Sequence, residues 1–260
     1  MLDGVKSVAI LGHIRPDGDC LGSTLGLYNY LGNKYPGIHA RVYLEEAAEK
    51  FAYLKGFDEI RHEPDDRVYD LCVCLDSGDM GRLGKFSCYF ERAKDSICLD
   101  HHVTNTRYAA ANLVVADASS TCEVVYGFLE KDKISTAAAA CIYTGIIHDT
   151  NVFKNSNTTA KTMEAAGDMM SRGIPFSRII DESFYRKTYV QNQILGRALL
   201  ESVTFREGKC IFSVVRRKDM EFYGVESSDL DGIVDQMRVT EGVEVAIFLH
   251  EMENHVYKVS

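Results

Sequence analysis

His13, Asp17 and Asp19 fall within seven positions, inside the stretch GHIRPDGDCLGS at residues 12–23. Imidazole and carboxylate are the side chains that hold divalent metals or move protons, so the stretch reads either as a metal-binding loop or as a turn followed by a helix cap. Three more segments carry the same residue types: Asp76 after LCVCL, Asp100-His101-His102 after SICL, and Asp149 at the end of STAAAACIYTGIIHDT. Each taken alone has an ordinary structural reading, Asp76 as a turn residue and the adjacent histidines as one core and one exposed ring. Brought together, so many carboxylates repel one another or take up protons unless a multivalent cation compensates them. Two ions sharing a carboxylate suit this many ligands better than one, and such a pair can activate a water and stabilise the leaving oxygen of a phosphoester. The mixture of imidazole and carboxylate points to a transition metal such as Mn2+ rather than an all-oxygen site.

The order of elements supplies a way to bring these segments together. SVAIL, residues 7–11, reads as a buried strand leading into His13; HARVYL, YDLCVCLD and SICLDHH read as further strands, with EEAAEKFAYLKG and RLGKFSCYFERAK as the helices between them. Strands alternating with helices predict an α/β fold: a doubly wound, mainly parallel sheet with helices on both faces. His13, Asp76 and Asp100 then all leave the carboxyl ends of strands, the edge on which open parallel sheets bind ligands. Asp149 follows a helix, and periodicity alone does not mark it. Gly18 is expected to let Asp17 and Asp19 point to different metals, and Gly22 and Ser23 to open the next helix close to a phosphate. The expected organisation is a catalytic metal-binding domain over 1–185, a helical linker over 186–206, and a smaller α+β domain over 207–260 that is thin for an independent core.

A net charge of -9 argues against gripping long nucleic acid, which requires a dense basic surface, but leaves small anionic substrates open. No stretch approaches the roughly 20 apolar residues of a membrane span, and the first ten residues lack the pattern of a secretion signal, so the expected location is cytoplasmic. The eight cysteines are scattered; Cys72 and Cys74 alternate within an apolar run and read as small core residues.

The four segments together resemble the DHH phosphoesterases, whose signatures are a GHxxPDGDxxGS segment, a strand ending in Asp, an Asp-His-His triplet and a later His-Asp-Thr. Here they stand in order as residues 12–23, Leu75-Asp76-Ser77, Asp100-His101-His102 and His148-Asp149-Thr150. The resemblance implies that His13, Asp17 and Asp76 hold one metal, and that Asp19, the shared Asp76, His101 and Asp149 hold the other. Asp100 and His102 are implied behind the ligands or against substrate, with Asp76, Asp100 and His102 as the catalytic set. It also implies Mn2+ as the metal, with Mg2+ or Co2+ as substitutes. Within the family the chain is similar to the branch acting on short oligoribonucleotides and adenosine 3′,5′-bisphosphate: Ser119-Ser120-Thr121 resembles its Ala-Ser-Ser-Thr helix start, and Phe153 to Thr159 its F-R-Y-S-N-T-T segment, with Lys154-Asn155 in place of Arg-Tyr.

Arg82, Asn105, Ser119, Ser120, Phe153 and Asn157 are the corresponding candidates for substrate contact. The implied partners are a small nucleotide, a linear or cyclic dinucleotide or short single-stranded RNA, and a second copy of the chain in a homodimer. The branch's C-terminal domain carries a glycine-rich GGGH segment that does not occur before Ser260, so a substrate clamp beyond that point is expected. Two other readings stay open: a family II type pyrophosphatase, and a binding module that senses a nucleotide or metal without turnover.

Overall fold

The computed structural model describes residues 4–253 and 255–260; the first three residues of the expected catalytic domain, and Asn254 in the expected strand NHVYKVS, lie outside them. The chain divides into two compact units, Met1–Tyr185 and Arg186–Ser260.

The first unit is built on five parallel strands: β1 (Ser7–Leu11), β2 (His39–Tyr43), β3 (Leu71–Leu75), β4 (Asp95–Asp100) and β5 (Ala111–Val114), in the order β2-β1-β3-β4-β5. Strand alternation sends Val8, Ile10, Val42, Leu71, Val73 and Leu99 to one face and Ala9, Leu11, Tyr43, Cys72, Cys74 and Cys98 to the other. The first face is covered by α1 (Gly18–Lys34), α3 (Thr121–Phe128), α4 (Thr136–Asp149) and α5 (Ala160–Ser171). The second is covered by the short α2 (Ser87–Arg92) and the 3-10 turns before it, whose Leu83, Phe86 and Tyr89 pack on Tyr43 and the buried cysteines. The sheet is therefore doubly wound, and its strand order reverses between β1 and β3, the point where loops diverge and leave a crevice at the carboxyl edge.

Local sequence explains where the site-bearing helices begin. Asp17 caps α1, its Oδ1 accepting the backbone N–H groups of Asp19 and Cys20, both at 3.1 Å. Ser120 caps α3 by accepting from Glu123 N, and Ser135 caps α4 by accepting from Ala138 N. The helix expected over EEAAEKFAYLKG does not form: residues 44–60 run as two 3-10 turns, Glu49–Phe51 and Phe57–Glu59, with Phe51 and Leu54 buried and Gly56 left-handed. Its start has no side-chain cap, and a segment so short takes its shape from packing rather than propensity.

The second unit carries β6 (Val203–Phe205), β7 (Cys210–Val215), β8 (Val245–Glu253) and β9 (Val256–Val259), with β7 and β8 parallel and both outer pairs antiparallel. Three helices join it: α7 (Tyr189–Leu200), α8 (Arg217–Tyr223) and α9 (Ile233–Arg238). The helix expected within 186–206 forms as α7 and belongs to this compact unit. Thr188 and Gln191 form a capping box that starts α7, Ile194 and Ala198 are buried against Ile211, Leu230, Ile233 and Phe248, and Ser213 Oγ donates to Ala198 O at 2.7 Å. The unit has its own core.

That core contains an unsatisfied polar group. His250 on β8 is 3 % exposed, and among the described residues neither ring nitrogen has a hydrogen-bond partner. Burial lowers its pKa, with Lys258 acting in the same direction and Asp231 opposing. Because the folded pKa lies below the unfolded one, near 6.5, stability is lost as pH falls through that value. His250→Leu is expected to stabilise the protein by about 1 kcal/mol, since an apolar group replaces an unpaired polar one, and the gain should widen between pH 8 and pH 5.5 in thermal melts. A gain that does not change with pH would mean that the ring finds a partner.

Candidate metal centre

The four segments meet at the carboxyl edge of the sheet, on both sides of the β1/β3 reversal. Asp76 stands at the centre. It follows β3 directly, its N–H continues the ladder to Leu99 O, and its φ of 55° is left-handed, a conformation that costs a non-glycine residue of order 1–3 kcal/mol. The carboxylate is 2 % exposed, with Oδ2 at 3.4 Å from His13 Nε2 and Oδ1 at 3.7 Å from His101 Nε2. On the His13 side stands Asp17, at 3.6 Å. On the His101 side stand Asp149 at 3.2 Å and Asp19 at 4.0 Å. Potential ligand atoms cluster in three groups whose members lie within 4.8 Å of one another: His13, Asp17 and Asp76; Asp19, His101 and Asp149; and Asp76, His101 and His102.

Neighbouring groups fix how these side chains point. His13 Nδ1 donates to Ile14 O at 2.8 Å, which leaves Nε2 facing the carboxylates. Asp19 is held at the N-terminus of α3, where Oδ2 accepts from Thr121 N at 2.6 Å and Oδ1 from Cys122 N at 2.9 Å. Asp100 is fully buried. It accepts from His101 N, His102 Nδ1 and Asn105 Nδ2 at 2.9, 2.8 and 2.6 Å, so it holds the two histidines from behind.

The electrostatics fit a cation. Burial first, then the charges of Asp76 and Asp149, drives the Asp19 carboxyl well above its ordinary range; burial, Asp76 and Asp17 push Asp149 up to about 7. Burial pulls the His13 ring down, but the carboxylates of Asp17 and Asp76 outweigh it and hold it at about 10. The cluster thus takes up protons in place of the positive charge a divalent ion would bring.

Residues 7–146, more than half of the chain, match the DHH family, N-terminal domain. The chain belongs to the DHH family. Among curated relatives, the bifunctional oligoribonuclease and PAP phosphatase NrnA of Bacillus subtilis is 27% identical over 252 residues, covering 94% of this chain and 77% of its own. The protein of that name from Thermus thermophilus is 27% identical over 254 residues, covering 96% and 74%. Among solved structures, an exopolyphosphatase-related protein from Bacteroides fragilis has a TM-score of 0.91 at 21% identity, covering 99% of this chain and 79% of the other. A putative family II inorganic pyrophosphatase from Methanococcus jannaschii has a TM-score of 0.54 at 18% identity, covering 94% and 82%. On family membership and these relatives, the chain is an enzyme of the phosphoesterase type that its motifs resemble.

In this DHH chain the candidates for substrate contact separate into two kinds. Arg82 is exposed, and its charge reaches His102. Phe153 is half-buried beside Tyr143. The others have their polar atoms engaged internally. Asn105 donates to Asp100 and to Ser77 O; Ser119 Oγ donates to Glu123; Ser120 caps α3; and Asn157 Nδ2 donates to Ser119 O at 2.9 Å and to Asp149 O at 3.3 Å. Ser119 and Ser120 are buried, Asn105 is half-buried and Asn157 is exposed.

His148, the neighbour of Asp149, turns away from the metal-facing groups. Its half-buried ring lies between Phe51 and Phe184, and its Nε2 is 3.1 Å from Ser183 Oγ, which itself donates to Ile179 O. That ring gives a packing reason for glycine at position 18, where a Cβ would stand 2.3 Å from His148 Cγ. Gly22 and Ser23 are fully buried in α1, with Gly22 against α4 and Ser23 Oγ donating to Cys20 O. Thr121, which the sequence marks only as part of the Ser119-Ser120-Thr121 helix start and not as a site residue, donates its hydroxyl to Asp76 Oδ1 at 2.9 Å.

Proposed function

We propose that this chain is a divalent-metal-dependent phosphoesterase acting on short oligoribonucleotides and adenosine 3′,5′-bisphosphate, with linear or cyclic dinucleotides as related substrates. The observation that carries the reading is the position of Asp76, with one carboxylate oxygen toward His13 and the other toward His101. His13, Asp17 and Asp76 would hold one ion, and Asp19, Asp76, His101 and Asp149 the second. Mn2+ suits the mixed donors, with Mg2+ or Co2+ as substitutes. When bound, two such ions supply a water deprotonated near neutral pH and positive charge for the phosphate oxygens.

The chain's own residues do the rest. Asp100 fixes His102 through Nδ1 and raises its pKa, so the half-exposed ring carries a proton toward the leaving oxygen at Nε2. Arg82, an exposed cation whose charge reaches His102, would meet a substrate phosphate. A net charge of -9 favours small anions, drawn by a local cationic site, over long nucleic acid. The eight unpaired thiols suit a reducing cytoplasm, and no described helix is long and apolar enough to cross a membrane. The homodimer that the family resemblance implies is read from the mass of the assembly in solution.

The test is turnover with Mn2+ of adenosine 3′,5′-bisphosphate, RNAs of two to five nucleotides, cyclic di-AMP and pyrophosphate, each repeated after chelation. Hydrolysis of the first two, lost with EDTA and restored by Mn2+, is expected. Hydrolysis of pyrophosphate alone would assign a pyrophosphatase, and binding without turnover a sensing module.

A further inference from the structure

The metal-facing carboxylates come from three separate stretches of chain, and one short segment reaches all three stretches, directly at Asp19 and Asp76 and through Asn157 at Asp149. Thr121 N donates to Asp19 Oδ2 at 2.6 Å, and Thr121 Oγ1 donates to Asp76 Oδ1 at 2.9 Å, with Asp100 Oδ1 also within reach at 3.5 Å. Two residues earlier, Ser119 O accepts from Asn157 Nδ2, which also reaches Asp149 O. Ser119, Ser120 and Thr121 are all fully buried. Their position is fixed by Ser120 capping α3 and by Glu123, whose Oε2 accepts from Ser119 N, Ser119 Oγ and Thr162 Oγ1.

We infer that Thr121 is a positioning residue for the metal centre: its hydroxyl sets the rotation of the Asp76 carboxylate while its amide sets that of Asp19, so the two halves of the site are indexed to one residue. The inference rests on the two-metal reading of the site. A carboxylate shared between two ions must present its oxygens in opposite directions. Among the described residues no other side-chain hydroxyl bonds Asp76, and the imidazoles of His13, His101 and His102 face its carboxylate. The Thr121 hydroxyl takes one lone pair of Oδ1 and leaves the other directed at His101. Groups that orient metal ligands in this way affect metal affinity by about 10- to 100-fold when removed.

Two substitutions separate this role from simple packing. Thr121→Val keeps the shape and the backbone amide but removes the hydroxyl; Thr121→Ser keeps the hydroxyl and removes a methyl. In calorimetric titration of the chelated full chain with Mn2+, the Val variant is expected to lose about 10- to 100-fold in affinity for at least one ion, while its melting midpoint without metal stays within a few degrees of wild type. The Ser variant should bind within about threefold of wild type although it packs less well, and kcat should fall in the Val variant more than KM rises. A Val variant that binds two ions with wild-type affinity would overturn the inference alone, and so would a Ser variant as impaired as Val. A wild-type chain that takes up no Mn2+ would overturn the metal reading and this inference together.

Discussion

Replacing Asp76 by Asn is expected to lower phosphoesterase activity by at least ~10³-fold and to reduce bound Mn2+ from two ions to at most one per chain. The magnitude follows from removing the carboxylate that faces both halves of the site, since the charge stabilisation supplied by metal ions is worth several kcal/mol and each 1.4 kcal/mol is tenfold in rate. Asn keeps the size, so the left-handed backbone at φ 55° remains tolerable, and asparagine is among the residues that adopt it. The control is Asp79→Asn. Asp79 also follows β3, but its carboxylate only caps the next turn by accepting from Arg82 N at 3.2 Å. That variant should bind two ions as wild type does. Element analysis of dialysed protein, beside turnover of adenosine 3′,5′-bisphosphate, reads both outcomes; equal metal content in the two variants would remove Asp76 from the centre.

The second large effect is on stability. Gly22→Ala is expected to cost about 3 kcal/mol, at the upper end of what overpacking a core does, and to lower the melting midpoint by roughly 6–12 °C. The reason is what surrounds the position: an added Cβ would stand 2.5 Å from Cys141 O and 2.8 Å from Gly145 N, backbone atoms of α4 that can yield only if the two helices separate. Because Asp17 and Asp19 open α1, and Asp149 closes α4, the same separation should weaken Mn2+ binding. Gly32→Ala, on the exposed end of the same helix with nothing within 4 Å of the added atom, should instead stabilise by up to about 1 kcal/mol. Thermal melts of the two variants give opposite signs if close helix contact, rather than helix propensity, decides.

Much of this architecture was legible in the sequence because the informative residues obey short-range rules. β1, β3 and β4 are short apolar runs that end in a polar ligand type, and the carboxyl ends of parallel strands lie on one edge whatever the loops between them do. His13, Asp76 and the Asp100 triplet could therefore be brought together on paper. Asp149 came in only through the family resemblance: it closes a helix, and its approach to His101 depends on how closely α4 packs on α1, which the glycine contacts reveal.

The misread segments have a shared cause. EEAAEKFAYLKG has helix-forming residues but takes its path from the burial of Phe51 and Leu54, and β5 has only four residues, so neither carried a periodic signal long enough to read. The expected helix within 186–206 is present as α7, whose tie to β7 runs through a hydroxyl and a backbone carbonyl that carry no periodic signal. Thr121 was read only as part of a helix start, because its hydrogen bonds run to residues 45 and 102 positions away.

The claim on which the account depends is that Asp76 lies between two ions. It is tested most directly by anomalous diffraction at the manganese edge from crystals of the wild-type chain grown with Mn2+. Two peaks about 3.5–4 Å apart, one beside His13 and Asp17 and the other beside Asp19, His101 and Asp149, with an Asp76 oxygen on each, are the expected result. A single peak, or two peaks of which only one touches Asp76, would contradict it.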